Sequence, residues 1–439
     1  MTGRRRTRRG MLTTLLQPSP GTRRRRLLPT AALVACASLA AGCGAIPGAT
    51  GGSGGGTVTV MTWAPDNTRA TNKPGMPAMA RAYARWVNSH GGIAGRKLKV
   101  LTCNESNDTV EASKCARLAV KENVVAVVGS YSQYSDAFFP PLEGAGIPYI
   151  GGFGLTTDEF TRALSYPVNG GQPALLAGLG KELAAVCGPV TLVRPDSIAG
   201  DELPGLLDAG LKAGGHTAAR DQMAPEDATE YSAQADRALR AATAGSARKG
   251  CVVPALGERT DIFMDSFRRA RGGYPAVRTA AVIGSVDQTV IDTSGGQAGP
   301  YEGAYITGWY PVASDPRWNA MKKVINEEAF GDNRIDPADA GVQTTWIAYT
   351  VLRAVLEKIG AGEVSADTVH RTLDNGVRVD TGGLTPPLRW RLSDLLDSAG
   401  FARLVNADVT VQRVDQGRLV SATKGFVDLT KTLDDADVS

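Results

Sequence analysis

Two glycine-led turns carry the residues best suited to hold a small polar molecule. Gly129, Ser130, Tyr131, Ser132 and Gln133 follow the apolar run Val124–Val128, and Gly151, Gly152, Phe153, Gly154, Leu155, Thr156, Thr157 and Asp158 follow Ile147–Ile150. In both, glycine lets the backbone turn and hydroxyls stand where a helix begins. A helix N-terminus presents unpaired N–H groups and a partial positive charge, which suit a carboxylate or another anion. Two such ends aimed at one point clamp a single anionic group. The same hydroxyls are equally suited to capping their own helices, and both readings stand. Trp63 and Trp309, each just past an apolar run, offer either stacking surface or core packing. Catalytic chemistry finds little support. His90, His216 and His370 are far apart, no Gly-x-Ser-x-Gly elbow stands between a strand and a helix, and no P-loop is present. Ser246 and Lys249 match Ser-x-x-Lys, but the companion motifs of that nucleophile class are missing. The expectation is a protein that is not an enzyme and uses no metal or cofactor.

Cys43 has a different chemistry. The first 42 residues hold nine arginines and no acidic residue, and the apolar stretch from Leu27 to Ala41 ends in Leu39, Ala40, Ala41, Gly42, Cys43. Basic, apolar, then small is the order of a signal peptide. The stretch is interrupted by Pro29 and falls short of the roughly 20 apolar residues that span a bilayer. The segment resembles a bacterial lipobox, with Ala40 where leucine is usual and Leu39 one place earlier. In that reading the Cys43 thiol takes diacylglycerol and becomes the new N-terminus; the alternative is a stray thiol in a discarded leader. Buried acyl chains contribute about 0.8 kcal/mol per methylene, enough in combination to hold the chain at a membrane. The Gly- and Ser-rich run Gly48–Gly56 then acts as a flexible tether. Export by Sec or Tat is left open by Arg23–Arg26.

Loss of the leader's nine arginines takes the formal net charge from +4 to about −5, so the basic balance implies no nucleic-acid partner. Four body cysteines remain, Cys103, Cys115, Cys187 and Cys251. An even number outside the cytoplasm favours disulfides, and their spacing fits no zinc pattern. Of three connectivities, the preferred one joins Cys103 to Cys115 across a short loop and Cys187 to Cys251, each of which precedes an expected strand.

The elements that would position these groups alternate from Thr57 onward. Val58–Thr62, Lys97–Thr102, Val124–Val128, Ile147–Ile150, Val190–Val193, Val252–Val253 and Ala280–Ile283 read as strands. Met79, Tyr83, Trp86 and Val87 share one helical face, Thr109–Glu122 reads as a helix capped by Asp108, and Ala340–Ile359 as a long helix. Val409–Val414 and Arg418–Ala422 flank Asp415, Gln416, Gly417 as a hairpin. The alternation implies an α/β chain with parallel sheets covered on both faces, and its length suits two lobes. In open α/β sheets ligands sit beyond the carboxyl ends of the strands, where both glycine-led turns lie.

Residues Asn88–Leu98, reading Asn-Ser-His-Gly-Gly-Ile-Ala-Gly-Arg-Lys-Leu, resemble the N-x-x-G-G-I-x-G-R-x-L turn of type I periplasmic binding proteins of the leucine/isoleucine/valine-binding class. Val124–Gly129 and Gly144–Pro148 are similar to that family's V-x-A-V-I-G and E-x-A-G-I-P segments, and the closing hairpin to its last strands. The resemblance is strongest over 57–165 and weakest over 360–405. It implies two Rossmann-like lobes joined by a three-segment hinge. The expected division is a signal peptide 1–42, a tether 43–56, an N-terminal lobe of 57–169 plus 311–385, and a C-terminal lobe of 170–310 plus 386–439. It also implies capture of a small polar solute, amino-acid- or amide-like, and delivery to an ABC permease by a monomer anchored on the extracytoplasmic face of the cell membrane. A ligand-sensing or adaptor lipoprotein of the same fold is the alternative. Aligned on the family, Gln133 replaces a carboxylate-binding serine, and Leu155 and Thr156 fall on an alanine–threonine pair. Asp287 is the carboxylate nearest the ammonium-pairing position, with a solvated loop acid as its other reading. The aromatics that cover an amino acid in the second lobe are absent from Ile198–Asp201 and Ala255–Glu258.

Overall fold

The computed structural model describes residues 56–436 except 70, 226–227, 245–248, 397 and 399. Cys43, the leader, the tether up to residue 55 and Ser246 therefore lie outside the described residues.

Two sheets organise the chain. The first has five parallel strands in the order β2-β1-β3-β4-β5, with β1 at Thr57–Trp63, β2 at Lys97–Cys103, β3 at Val127–Val128, β4 at Tyr149–Ile150 and β5 at Ser165–Tyr166. β1 is buried on both faces, as a central parallel strand must be. The ladder of β4 begins only at Tyr149 because Pro148 has no N–H to donate. β3 is shorter than the run Val124–Val128 that announces it, although Val125 N–H still donates to Thr59 and Ala126 still accepts from Met61.

The second sheet comprises β6 (Val190–Pro195), β7 (Arg220–Ala224), β8 (Cys251–Pro254), β9 (Arg278–Val282), β10 (Tyr305–Gly308), β11 (Thr410–Asp415) and β12 (Arg418–Ser421), in the order β12-β11-β10-β9-β8-β6-β7. β6 to β10 run parallel, whereas β11 and β12 form an antiparallel hairpin. β7 escapes sequence reading because it is an edge strand whose Arg220, Asp221 and Met223 are exposed, so no apolar alternation marks it.

Helices cover the sheets. Asp108 caps Thr109–Lys121 by accepting from Val110 and Glu111 N–H. Asp339 caps Ala340–Ile359 through Val342 N–H, and this helix packs on Gly75–Ser89 and against β3 and β4. After β5 the chain passes to Gly171–Val186, which packs on β9 and β10; after β10 it returns to Asn319–Glu328 against Gly75–Ser89; it re-enters the second sheet at β11. Three passages thus link the sheets. Cys103 is bonded to Cys115 and Cys187 to Cys251. The second bond follows from sheet order, since β6 and β8 are neighbours with Val190 opposite Cys251.

Candidate ligand-binding cleft

A cleft with an empty volume of about 590 Å³, its open mouth included, lies where strand ends of both sheets meet. From the first sheet come Thr71 and Lys73 after β1, Tyr131 after β3, and Phe153 and Leu155 after β4. From the second come Ala255 and Gly257 after β8, Val282–Ser285 at the end of β9, and Trp309 after β10, with Gln172, Leu175 and Leu176 from the helix Gly171–Val186.

Two glycines allow the loops to take these positions. Gly129 has φ +60°, and a Cβ there would lie 2.9 Å from Thr345 Cα; at Gly151, φ +63°, a Cβ would lie 2.5 Å from that of Ala348. The helix Ala340–Ile359 therefore presses on both turns where only glycine leaves room.

The turn after β3 contributes one side chain to the cleft. Tyr131 lines it, whereas the neighbouring serines point into the protein. Ser130 Oγ accepts from Trp63 N–H at 3.1 Å. Ser132 Oγ donates to Glu105 at 3.1 Å and accepts from Tyr134 N–H. Gln133 is exposed and is not part of the cleft wall, its amide lying 3.5 Å from the Tyr131 hydroxyl.

The turn after β4 does gather N–H groups around a carboxylate, and that carboxylate belongs to the protein. Glu159 accepts from the backbone of Gly154 at 3.0 Å, Leu155 at 2.9 Å and Thr156 at 3.2 Å, and from Thr156 Oγ1 at 3.3 Å. Burial pushes its carboxyl up to about 7 against the pull of these donors. Thr156–Glu159 is a capping box, and Thr-x-x-Glu was the sequence signal that reveals it. Leu155 still lines the cleft with its side chain. Glu105, at the loop after β2, is a second buried carboxyl pushed up to about 7 by burial, behind the turn that carries Tyr131.

Asp287 caps the short helix Gln288–Thr293 through Val290 N–H at 2.9 Å and faces a smaller side cavity with Gln343 and Gln412, outside the main wall. Burial, reinforced by Asp339 and Asp336, raises it to about 6, with Lys73 acting in the opposite direction. Lys73 is a charged wall residue that strand-end reasoning missed, because it lies ten residues past β1 in a long loop. Its ammonium pairs with Asp339 at 2.9 Å and lies 5.8 Å from the Phe153 ring centroid.

The tryptophans have separate fates. Trp63 is fully buried with Phe138 and Tyr149, and its Nε1 has no partner among the described residues. Trp309 lines the cleft, donates to Gly171 carbonyl at 2.9 Å and meets Phe153 edge to face. Among the described residues no cluster of histidine, cysteine or acidic side chains could hold a metal, and no helix is long and apolar enough to cross a membrane.

A sequence model described as periplasmic binding protein matches residues 53–416. A comparison with curated proteins found no match. Among solved structures, a substrate-binding periplasmic protein from Ralstonia solanacearum is similar at 16% identity, covering 83% of this chain and 99% of that one, with TM-score 0.67. A branched chain amino acid ABC transporter from Thermus thermophilus with bound valine is similar at 15% identity, covering 86% and 98%, with TM-score 0.68. A solute binding protein of an ABC transporter from Rhodopseudomonas palustris HaA2 in complex with p-hydroxybenzoic acid is similar at 14% identity, covering 85% and 97%, with TM-score 0.68. At these identities the likeness describes the fold.

Proposed function

The chain belongs to the periplasmic binding protein family, and on that premise we propose that it is the solute receptor of an ABC importer, held by a lipid on Cys43 at the outer face of the cell membrane. The observation that carries this reading is the cleft lined from both sheets, where Phe153 and Trp309 touch across the gap. Two lobes, 57–169 with 311–385 and 170–310 with 386–439, close on a small solute by bending at the three passages between them. The chain acts as a monomer that hands its cargo to a permease, and the tether after Cys43 lets the body reach that partner. Solutes of the size of valine or p-hydroxybenzoic acid, bound by proteins of similar fold, set the scale of the cargo. On this reading binding and release are the whole of the mechanism.

A solute at about 100 times its dissociation constant stabilises the folded state by about 2.7 kcal/mol. A screen of small polar and aromatic solutes should therefore raise the melting temperature of residues 57–439 with some of them. A broad screen without any shift would count against the receptor reading. The anchor is tested separately: Cys43→Ala should move the chain from the membrane fraction to the soluble fraction.

A further inference from the structure

The lining of the cleft narrows the solute further. We propose that it takes an aromatic solute with at most one acidic group and no ammonium group, the ring seated against Tyr131, Phe153 and Trp309 and the acid turned to Lys73. This rests on the receptor reading and specifies its cargo.

Three observations converge. The wall is mostly apolar, with Phe153, Leu155, Leu175, Leu176 and Trp309 among its side chains, and Tyr131 and Trp309 each stand 5.1 Å from Phe153 by ring centroid. Rings of this kind favour edge or offset contact with another ring. Second, the backbone donors that would seat a carboxylate on the turn after β4 already hold Glu159. A ligand acid must find its partner elsewhere, and among the described residues Lys73 is the single cation in the wall. The Lys73 ammonium reaches the cleft beside Phe153 while it pairs with Asp339, and a ligand acid turned to it gains a charged neighbour. The carboxylates of Asp339 and Asp336, both near enough to act on Asp287, disfavour a second negative charge on the ligand.

Third, no carboxylate lines the main cleft among the described residues. Asp287 is occupied as a helix cap and faces the side cavity. An ammonium group brought into this wall would lose its water and meet only neutral acceptors such as the Gln172 amide and the Thr71 and Ser285 hydroxyls, with no opposite charge to offset the loss. A zwitterionic amino acid is therefore the wrong cargo even where its side chain fits.

The test is calorimetric titration of the full chain in detergent with 3-phenylpropanoate, 4-hydroxybenzoate and their amides, and with L-phenylalanine and L-valine. 3-Phenylpropanoate differs from phenylalanine only by the ammonium group. At least one of the two acids should bind, and phenylalanine should bind at least ~10-fold more weakly than 3-phenylpropanoate. Lys73→Gln should weaken the acids at least ~10-fold while leaving the amides nearly unchanged. Leu155→Trp, a larger side chain at a half-buried wall position, should abolish binding without lowering the melting temperature of the unliganded protein. Tight binding of phenylalanine or valine would overturn the proposal and keep the receptor reading, as would a solute of another class found in a wider screen. Acids that bind unaffected by both substitutions would overturn the assigned site. Absence of any ligand in that wider screen would overturn the receptor reading itself.

Discussion

Phe153 and Trp309 meet edge to face across the cleft, ring centroids 5.1 Å apart and planes at 84°. One is carried by a loop of the five-stranded sheet and the other by a loop of the seven-stranded sheet. Gly284 makes room for the contact, since a Cβ there would lie 3.3 Å from Phe153 Cζ. Such pairs contribute about 0.5–1.5 kcal/mol beyond the area they bury. Phe153→Ala should therefore favour the open arrangement and weaken cleft ligands by roughly 10-fold. Small-angle scattering of the unliganded chain should show a larger radius of gyration than the parent, and titration should show the loss of affinity.

Glu159 satisfies three backbone N–H groups, that of buried Gly154 and those of half-buried Leu155 and Thr156. Glu159→Ala leaves the Gly154 N–H unpaired in the interior, and a buried donor without a partner costs about 1–3 kcal/mol. Urea denaturation should show at least that loss. Glu159→Gln, which keeps one acceptor oxygen, should lose less.

Glu105 predicts a direction with pH. Burial raises it from 4.5 to about 7, with Ser132 and the Asn107 N–H pulling the other way. The folded chain thus holds this proton to higher pH than the unfolded chain does. Its contribution is complete below the unfolded value and is lost as pH rises through the folded one. Glu159, also near 7, and Asp287, near 6, have the same sign. The melting temperature should fall between about pH 5 and about pH 7.5 on account of these groups, and Glu105→Gln should flatten that fall. An unchanged slope in the variant would count against a buried acid at this position.

The two disulfides differ in the loop they close. Cys103 and Cys115 are separated by 12 residues, Cys187 and Cys251 by 64. In the chain-entropy account the short loop contributes roughly 3 kcal/mol and the long one roughly 4 kcal/mol. The double substitution Cys187→Ser with Cys251→Ser should accordingly destabilise more than Cys103→Ser with Cys115→Ser, measured by chemical denaturation under oxidising conditions.

Much of the scaffold is legible from local pattern. The helix Ala340–Ile359 has the bounds its sequence announces, and β1, β2 and β6 differ from their apolar runs only at the ends. β5 is too short to stand out, and β7 is too polar. The cleft is less legible. Tyr131 and Leu155 reach it, while Ser130 and Ser132 sit one residue either side of Tyr131 and turn inward. In extended backbone neighbouring side chains point to opposite faces, and which face meets the cleft is decided by the sheets, not by residue type.

The sequence by itself determined most of the strands and helices, that glycine ends β3 and β4, and that Cys187 and Cys251 each stand just before an apolar run. Those features depend on backbone sterics and short-range periodicity, which residue types encode directly. Only the tertiary structure decided which anion the turn after β4 receives and that Lys73 and Trp309 share one cleft. Glu159 is within reach of that turn in any chain with Thr-x-x-Glu, but its burial beside Gly152 and Tyr149 depends on packing. Lys73 and Trp309 are 236 positions apart. Their meeting is set by how two sheets dock, a property of many weak contacts summed over the whole chain and written in no single segment.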